Sequence, residues 1–211
     1  MTLQDLGFDK SSYDGTVDWE VSKAKGITWA TIRASYGTVK DTRYDLASYK
    51  AITQDIKVIP YHWYVPRKYS SLVQASSFLT AARSSNMPAM LDLEDSGLTN
   101  IAYRGIASKE LKIWLDVVDN AVGAKTFIYS SPSYIKSYLY QDTWLSEYPL
   151  ILAHYRVPAP LIPKPWTPIN LAGWQFGGDD SDAKYYGFEQ ALGCSLQVMY
   201  DLPKYVHDWS V

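Results

Sequence analysis

The sequence has few cysteines and histidines and little net charge, which limits disulfides, metal sites and binding to highly charged partners. Its one cysteine, Cys194, excludes an intramolecular disulfide. The three histidines, His62, His154 and His207, lack the close spacing of metal ligands. The 20 basic and 22 acidic residues give a net charge of only -2 and form no basic stripe, which argues against a nucleic-acid partner. We therefore expect no metal and no bound nucleic acid.

Long apolar runs and ligand-binding signatures are also missing. No segment approaches the ~20 residues of a membrane span. The N-terminal residues Met1-Thr2-Leu3-Gln4-Asp5 show no charged-then-apolar secretion signal. No phosphate-binding loop, dinucleotide fingerprint or serine nucleophile elbow occurs, so we expect no cofactor. The 211 residues suit one domain over residues 1–211, and we expect a soluble monomer that is made in the cytoplasm and does not bind membranes.

Eight apolar segments are predicted to be β-strands. Most are continuous apolar runs rather than strict alternations, which is typical of parallel strands buried on both faces. They cover residues 6–9, 28–34, 56–64, 89–94, 126–130, 150–155, 171–176 and 196–202.

Five helices are predicted between the earlier strands. Apolar stripes mark the first (Val17, Val21, Ala24), the third (Leu72, Ala75, Leu79, Ala82) and the fourth (Leu111, Leu115, Val118, Val122). The second covers residues 43–54, and the fifth follows the capping sequence Ser131-Pro132-Ser133. Residues 156–168 carry five prolines and cannot form an ordinary helix. The pattern predicts an α/β protein, a modified TIM-like barrel with five βα units followed by three further strands.

The triplet Asp92-Leu93-Glu94 ends the apolar run that begins at Pro88. Residues i and i+2 of a strand face the same side, with Cα atoms roughly 6–7 Å apart. Two carboxylates placed there repel each other and lose hydration. Acid–base chemistry on a glycosidic bond is the commonest use of such a pair, although an isolated triplet more often decorates a solvated turn.

Polar or aromatic residues follow the other predicted strands as well. In a βα-barrel the chemistry lies at the carboxyl ends of the strands. These ends carry Asp9, Ser35, Tyr36, Tyr61, His62, Asp92, Glu94, Tyr129, Tyr155, Trp174, Gln175 and Asp201. Each of these residues has an ordinary structural explanation, such as a turn at Asp9 or core packing by His62 and Trp174. Such explanations do not account for polar or aromatic residues at all eight strand ends together. Four acids at one mouth would hold at least one proton near neutrality.

A metal site is the rival use of clustered acids. The run Asp179-Asp180-Ser181-Asp182 has the composition of a weak cation site, but a solvated loop explains it better.

With these residues the chain resembles glycoside hydrolase family 25, the Chalaropsis-type lysozymes. The resemblance runs nearly end to end. The matching segments are Phe8-Asp9-Lys10-Ser11-Ser12-Tyr13-Asp14-Gly15 with Val17-Asp18-Trp19, Ile32-Arg33-Ala34-Ser35-Tyr36-Gly37, Tyr61-His62-Trp63, Asp92-Leu93-Glu94, Trp174-Gln175 and Asp201. The opening segment and the Asp-x-Glu triplet are the most specific of these.

The resemblance implies a substrate and roles for these residues. The substrate would be bacterial peptidoglycan, cut at the β-1,4 bond between N-acetylmuramic acid and N-acetylglucosamine. Glu94 would be the general acid, Asp92 would stabilise the substrate's attacking acetamido group, and Asp9 and Asp201 would assist. The substrate-binding residues would be Arg33, Tyr61, His62, Tyr129, Tyr155, Trp174 and Gln175. The alternative mechanism is inversion, in which an aspartate activates water.

Two other functions remain open, and the sequence also leads us to expect a biological origin for the protein. A chitinase-like glycosidase also ends a strand with Asp-x-Glu, although Met87 and Met90 replace the further aspartates that its longer motif needs. A cell-wall-binding module without activity is the non-enzymatic alternative. The missing signal segment favours a phage endolysin that is released through a holin pore.

Overall fold

The computed structural model describes residues 4–83, 88–94, 104–139, 142–177, 183–189 and 195–200. The strands are β1 (Gln4–Lys10), β2 (Ile27–Tyr36), β3 (Val39–Lys40), β4 (Lys57–Trp63), β5 (Met90–Asp92), β6 (Phe127–Ser130), β7 (Leu150–Ala153), β8 (Leu171–Gln175) and β9 (Ser195–Tyr200). The helices are α1 (Trp19–Ala24), α2 (Tyr44–Thr53), α3 (Ser71–Ala81), α4 (Arg104–Val122) and α5 (Pro132–Tyr134), which a π-helical turn (Ile135–Leu139) continues.

Eight of the strands close into a barrel. Going round it, the order is β1, β2, β4, β5, β6, β7, β8 and β9, and β9 returns to β1. The short β3 forms a hairpin on β2 and was not predicted. In the described ranges five helices lie between the strands up to β7, so the predicted modified barrel with five βα units and three further strands is confirmed.

The last strand runs against the direction of the others. Strands β1, β2 and β4 to β8 pair in parallel, whereas β9 is antiparallel to both of its neighbours. Its first residue, Ser195, pairs with Asp9, and its last, Tyr200, pairs with Gln4. The amino-terminal end of β9 therefore lies at the barrel mouth, where the other strands have their carboxyl ends.

The barrel interior below the mouth is filled by large side chains. One buried cluster contains Trp29, Ile59, Tyr61, Met90, Phe127, Tyr129, Ile151, Ala153, Ala172 and Met199. Gly7 is needed beside Trp29, because a Cβ atom at residue 7 would lie 2.5 Å from the indole ring. The indole Nε1 of Trp29 donates to the Asp5 carbonyl at 2.9 Å. The packed interior leaves the mouth as the place for polar groups.

The helices pack against the outer face of the barrel, but two of their buried faces differ from the prediction. In α3 the buried residues are Ser71, Gln74, Ala75, Phe78 and Ala81, while Leu72 is 55% exposed. Gln74 is tolerated inside because its amide bonds to His62 and to the backbone of Val65 and Tyr69. In α1 the buried residues are Trp19 and Ser22 rather than Val21 and Ala24. The predicted buried positions Leu111, Leu115 and Val118 of α4 are confirmed.

Side-chain caps explain where three helices begin. Asp18 accepts a hydrogen bond from the Val21 backbone N–H at the start of α1, and Ser70 and Ser131 cap α3 and α5 in the same way. No helix in the described ranges is both long enough and apolar enough to cross a membrane.

Candidate active site

Asp92 and Glu94 are positioned by the residue between them. The Leu93 N–H donates to the Tyr129 carbonyl at 2.9 Å, and its own carbonyl accepts from Ser130 Oγ at 2.7 Å. The Leu93 side chain is buried in the core outside the barrel. Because neighbouring residues of an extended chain face opposite sides, Asp92 and Glu94 are directed to the mouth. Strand β5 itself ends at Asp92, two residues earlier than predicted.

The surroundings of these two carboxyl groups differ. Asp92 is 4% exposed, whereas the Glu94 side chain reaches solvent at the rim. Burial, followed by repulsion from Glu94 and Asp9, raises the pKa of Asp92 well above its ordinary value, although Arg33 opposes the shift. The pKa of Glu94 is also raised, because protein atoms surround its carboxyl group on most sides and reduce its hydration. The two groups are therefore expected to share protons near neutrality, because ionisation of one makes ionisation of the other more costly.

Asp9 completes the cluster from the end of β1. Burial, then repulsion from Asp14 and Glu94, raises the pKa of Asp9 from 3.8 to about 8, and a hydrogen bond from Ser195 opposes this rise. The Gln175 amide Nε2 donates to Asp9 Oδ1 at 3.3 Å. Three carboxyl groups thus meet at the mouth, and their mutual repulsion keeps at least one of them protonated near neutrality.

Gln175 connects Asp9 to two tyrosines. Its Oε1 accepts hydrogen bonds from Tyr129 Oη at 2.6 Å and from Tyr155 Oη. Since the oxygen is occupied by two hydroxyl donors, the amide nitrogen has to face Asp9. The charges of Asp9, Asp92 and Glu94 also raise the pKa of Tyr155, to about 12, after burial as the main cause. The tyrosines therefore stay neutral donors over the useful pH range.

Tyr61 and Arg33 also belong to this side of the barrel. Burial, then the charges of Asp9 and Asp92, raises the pKa of Tyr61 well above its ordinary value. Arg33 pairs with Asp41 at 2.8 Å. The pKa of Asp41 is lowered, because hydrogen bonds from backbone N–H groups and the Arg33 charge outweigh its burial. Arg33 is thus held in place by Asp41, and it is the one cation that counts among the causes of the Asp92 shift.

Two predicted substrate-binding residues face away from the barrel interior. His62 is 0% exposed and faces the helices, where it contacts Ser35 and Gln74 and stacks on Trp114. Burial lowers its pKa to about 3, so it is a neutral core residue. Trp174 pairs with Leu152 and Val198 on the outer face of the sheet. Because strand side chains alternate, the neighbouring residue occupies the inner face in each case. This residue is Tyr61 beside His62 and Gln175 beside Trp174.

The fourth predicted acid, Asp201, lies outside the described residues. The prediction assumed that the last strand runs parallel to the others, and this assumption is wrong because β9 is antiparallel. Ser195, at the beginning of β9, is the residue that contacts Asp9. Sequence reasoning missed Ser195. The helix-poor connection before β9 gave no signal of the reversal, since β7 and β8 are parallel although their connection has no α-helix either.

Asp14 is a second residue that the sequence prediction left out. It lies in a 3-10 turn (Ser12–Asp14), where its carboxylate accepts hydrogen bonds from the Ser11 backbone N–H and from Ser11 Oγ at 2.8 Å. It is the largest electrostatic cause of the raised pKa of Asp9 after burial. The Ser-x-x-Asp spacing of a capping box was the signal for this turn.

Asp9→Asn is expected to stabilise the fold at neutral and alkaline pH. The pKa of Asp9 is about 8 when folded and near 3.8 when unfolded, so its contribution to stability is complete below about pH 4 and is lost as the pH rises through 8. Asparagine cannot ionise and has no such loss. The variant should exceed wild type by roughly 5 kcal/mol at pH 8 and come close to it near pH 4. Urea unfolding at these pH values measures the difference, and an equal gain at both would contradict the raised pKa.

Gln175→Leu is expected to lower kcat/KM about 10- to 100-fold, because a hydrogen bond to a carboxyl group is removed and Asp9 loses its orientation. Gln197→Leu is the matched control, since the Gln197 amide also lies inside the barrel but donates to Thr31 Oγ1 at 3.0 Å. The control should lose stability but little turnover. Equal losses of turnover in both variants would show that Gln175 acts only through packing.

Within the described ranges, no group of three or more histidine, cysteine or acidic residues is arranged to hold a metal ion. The protein is a closed βα-barrel with carboxyl groups and tyrosines at the carboxyl ends of its strands. This arrangement is typical of barrel enzymes that act on glycosidic bonds.

Comparison with known proteins identifies the family. The sequence profile of glycosyl hydrolases family 25 matches residues 8–184, so the chain belongs to this family and is a glycoside hydrolase. Lysozyme M1 of Streptomyces globisporus is 26% identical over 183 residues, which cover 81% of this chain but 60% of that protein. The N,O-diacetylmuramidase of a Chalaropsis species is 27% identical over 196 residues, covering 86% of this chain and 90% of that protein.

Solved structures share the fold. The family 25 lysozyme from Aspergillus fumigatus superposes with a TM-score of 0.79 at 22% identity and covers 96% of this chain and 97% of that one. The family 25 glycosyl hydrolase from Bacillus anthracis gives a TM-score of 0.80 at 19% identity, with 95% and 90% covered. The family resemblance read from the sequence motifs is confirmed.

Proposed function

We propose that the protein is a muramidase, which hydrolyses the β-1,4 bond between N-acetylmuramic acid and N-acetylglucosamine in peptidoglycan. The observation that carries this proposal is the carboxyl cluster of Asp9, Asp92 and Glu94, whose pKa values are all raised. The lysozyme and muramidase names of the related proteins support the choice of substrate.

Glu94 is the proposed general acid. Its carboxyl group is the exposed member of the pair, so it can approach the glycosidic oxygen of a bound glycan. Its raised pKa keeps it protonated before the bond breaks. After the leaving group departs, the same carboxylate accepts a proton from the attacking water.

Asp92 is proposed to act on the sugar's acetamido group. Its Oδ1 is buried and accepts no hydrogen bond from the residues that the structure describes. An acetamido N–H would supply the missing donor, and a negative Asp92 would stabilise the positive charge that develops when the acetamido oxygen attacks the anomeric carbon. The bicyclic intermediate that forms is opened by water, and the configuration at the anomeric carbon is retained.

The aromatic residues beside the cluster suit sugar rings. Tyr155 and Tyr36 are partly exposed at the mouth, and the Tyr36 ring lies 6.2 Å from that of Trp63. Aromatic faces stack on the apolar faces of sugars, while hydroxyl groups at the edge donate hydrogen bonds. We propose that Tyr61, Tyr129 and Tyr155 contact the glycan directly.

Product analysis on purified peptidoglycan tests the proposal. New reducing ends are reduced with borohydride and identified by mass spectrometry. The proposal expects muramic-acid ends from the wild type. N-acetylglucosamine ends would reject the bond assignment, and no release from several wall types would favour a binding module without activity.

We further propose that the protein serves as a phage endolysin, made in the bacterial cytoplasm and released through a holin pore. The support is that the catalytic domain of an endolysin from a Listeria monocytogenes bacteriophage has this fold, with a TM-score of 0.69 at 20% identity. Expression in a host bacterium with and without a holin tests this. Lysis without the holin would contradict the proposed release.

A further inference from the structure

A second pocket lies outside the barrel, next to the mouth. It is formed between the end of β1, the following turn and helix α2, and has a volume of about 170 Å³. Its lining residues are Lys10, Gly15, Thr16, Val17, Trp19, Arg43, Leu46, Ala47 and Lys50. Three of these nine residues are cationic and none is acidic, while Val17, Trp19, Leu46 and Ala47 provide apolar walls. The proposed cleavage reaction uses none of them.

Lys10 is the unusual member of this pocket. Its side chain is only 2% exposed, although a buried ammonium group is costly unless it is well paired. Among the described residues, its Nζ donates one hydrogen bond, to the carbonyl of Ser11, whereas an ammonium group has three donors. The group therefore has donor capacity for an acceptor that enters the pocket.

The charges around Lys10 favour a negatively charged occupant. Arg43 and Lys50 have exposed side chains on the pocket wall, and neither side chain forms a hydrogen bond or ion pair with the part of the chain that the structure describes. Asp14, Asp41 and Asp9 are the nearby acids. Asp41 is paired with Arg33 at 2.8 Å, Asp14 accepts two hydrogen bonds from Ser11, and Asp9 accepts a hydrogen bond from Gln175. Most of the negative charge near the pocket is therefore already paired with groups other than Lys10, Arg43 and Lys50.

The pocket has the size and polarity for a small carboxylate with an aliphatic part. A cavity of about 150 Å³ accommodates a benzene-sized molecule, so this pocket has room for the end of a short peptide. The cations face the carboxylate and the apolar walls face its methyl groups. A lone inorganic anion would leave these apolar walls without contacts.

The pocket is adjacent to the active site through the chain itself. Asp9 and Lys10 are consecutive residues of β1, so one faces the barrel interior and the other faces the pocket. A substituent branching from a glycan bound at the mouth can reach over the β1 end. We propose that this pocket binds the free carboxylate terminus of a peptide carried by the glycan, which extends the proposed function from the glycan strand to its stem peptide.

Direct binding of N-acetyl-D-alanyl-D-alanine to the full chain tests the proposal without requiring activity. The indole N–H signal of Trp19, which lines the pocket, is followed by NMR during titration. We expect a saturable shift in the wild type that is at least fivefold weaker in Arg43→Gln/Lys50→Gln. The corresponding peptide amide, which lacks the carboxylate, should not shift this signal. A shift with the amide equal to that with the acid would overturn the proposal.

A kinetic comparison then links the pocket to the substrate. KM is measured on intact peptidoglycan and on glycan strands from which an amidase has removed the peptides. The Arg43→Gln/Lys50→Gln variant should raise the ratio of the first KM to the second about fivefold. Lys23→Gln/Lys57→Gln removes the same charge outside the pocket and should leave the ratio unchanged. An unchanged ratio in the pocket variant would contradict the proposal, whereas a wild type inactive on both substrates would contradict the muramidase function instead.

Discussion

Replacement of Glu94 by glutamine is expected to reduce kcat/KM on peptidoglycan by about a thousandfold or more. Glutamine has nearly the same shape but cannot donate the proton that the glycosidic oxygen needs. The thermal unfolding temperature should not fall, because the Glu94 side chain lies exposed at the rim and its raised pKa is a cost that the variant removes. Rates of reducing-end release and circular dichroism melts measure both quantities.

The matched control is Glu147→Gln, which makes the same chemical change in a 3-10 turn (Thr143–Glu147) before β7. It should retain the activity of the wild type. A Glu94→Gln enzyme with more than about a tenth of the wild-type rate would show that another group donates the proton. In that case the assignment of the general acid, rather than the fold or the family, would be wrong.

Asp92→Asn is expected to have the second largest effect, a loss of kcat of about a hundredfold to ten-thousandfold. Asparagine can still occupy the buried site, but it supplies no negative charge to stabilise a positive acetamido group. Because Asp92 is buried beside Asp9 and Glu94, removing its charge also relieves repulsion, so the variant should be at least as stable as the wild type. Activity and urea unfolding near pH 7 measure the two effects.

An aryl glycoside of the same sugar separates the roles of the two carboxyl groups. An aryl leaving group departs without protonation, so Glu94→Gln should regain much of its rate on this substrate for the step that breaks the bond. Asp92→Asn should stay slow, since charge stabilisation at the acetamido group is still needed. Recovery of Asp92→Asn to the same extent as Glu94→Gln would contradict the proposed division of roles.

Most of the barrel could be predicted from the sequence, because buried parallel strands leave continuous apolar runs. The eight predicted strands all occur, and the Asp92-Leu93-Glu94 triplet does direct its two carboxyl groups to one side. This succeeded because the spacing of two in a strand is a geometric property that tertiary packing does not change. The burial of the Leu93 side chain outside the barrel agrees with this, because its two neighbours must then face the opposite side.

The same alternation explains the positions of His62 and Trp174. The prediction put both Tyr61 and His62, and both Trp174 and Gln175, in the groove, although neighbouring strand residues face opposite sides. In each pair the structure places only Tyr61 or Gln175 inside. Strand periodicity alone places one member of each pair on the outer face of the sheet. On that face His62 forms a hydrogen bond with Gln74 of α3.

The direction of the last strand could not be read from its residues. An apolar run is the same whether the strand pairs in parallel or antiparallel. The described parts of the connections before β8 and before β9 both lack an α-helix, yet β8 is parallel to β7 and β9 is antiparallel to β8. This reversal brings Ser195 to Asp9. The raised pKa of Asp9 also depends on Asp14, whose position follows from a local turn rather than from the strand pattern.

The central claim is that Glu94 acts as the acid while Asp92 works through the acetamido group of the substrate. Proton NMR of the anomeric signals during the first minutes of hydrolysis, before mutarotation, tests it most directly. The account predicts that the first muramic-acid product is the β-anomer, which means retention. An initial α-anomer would show inversion by direct attack of water and would contradict the proposed role of Asp92.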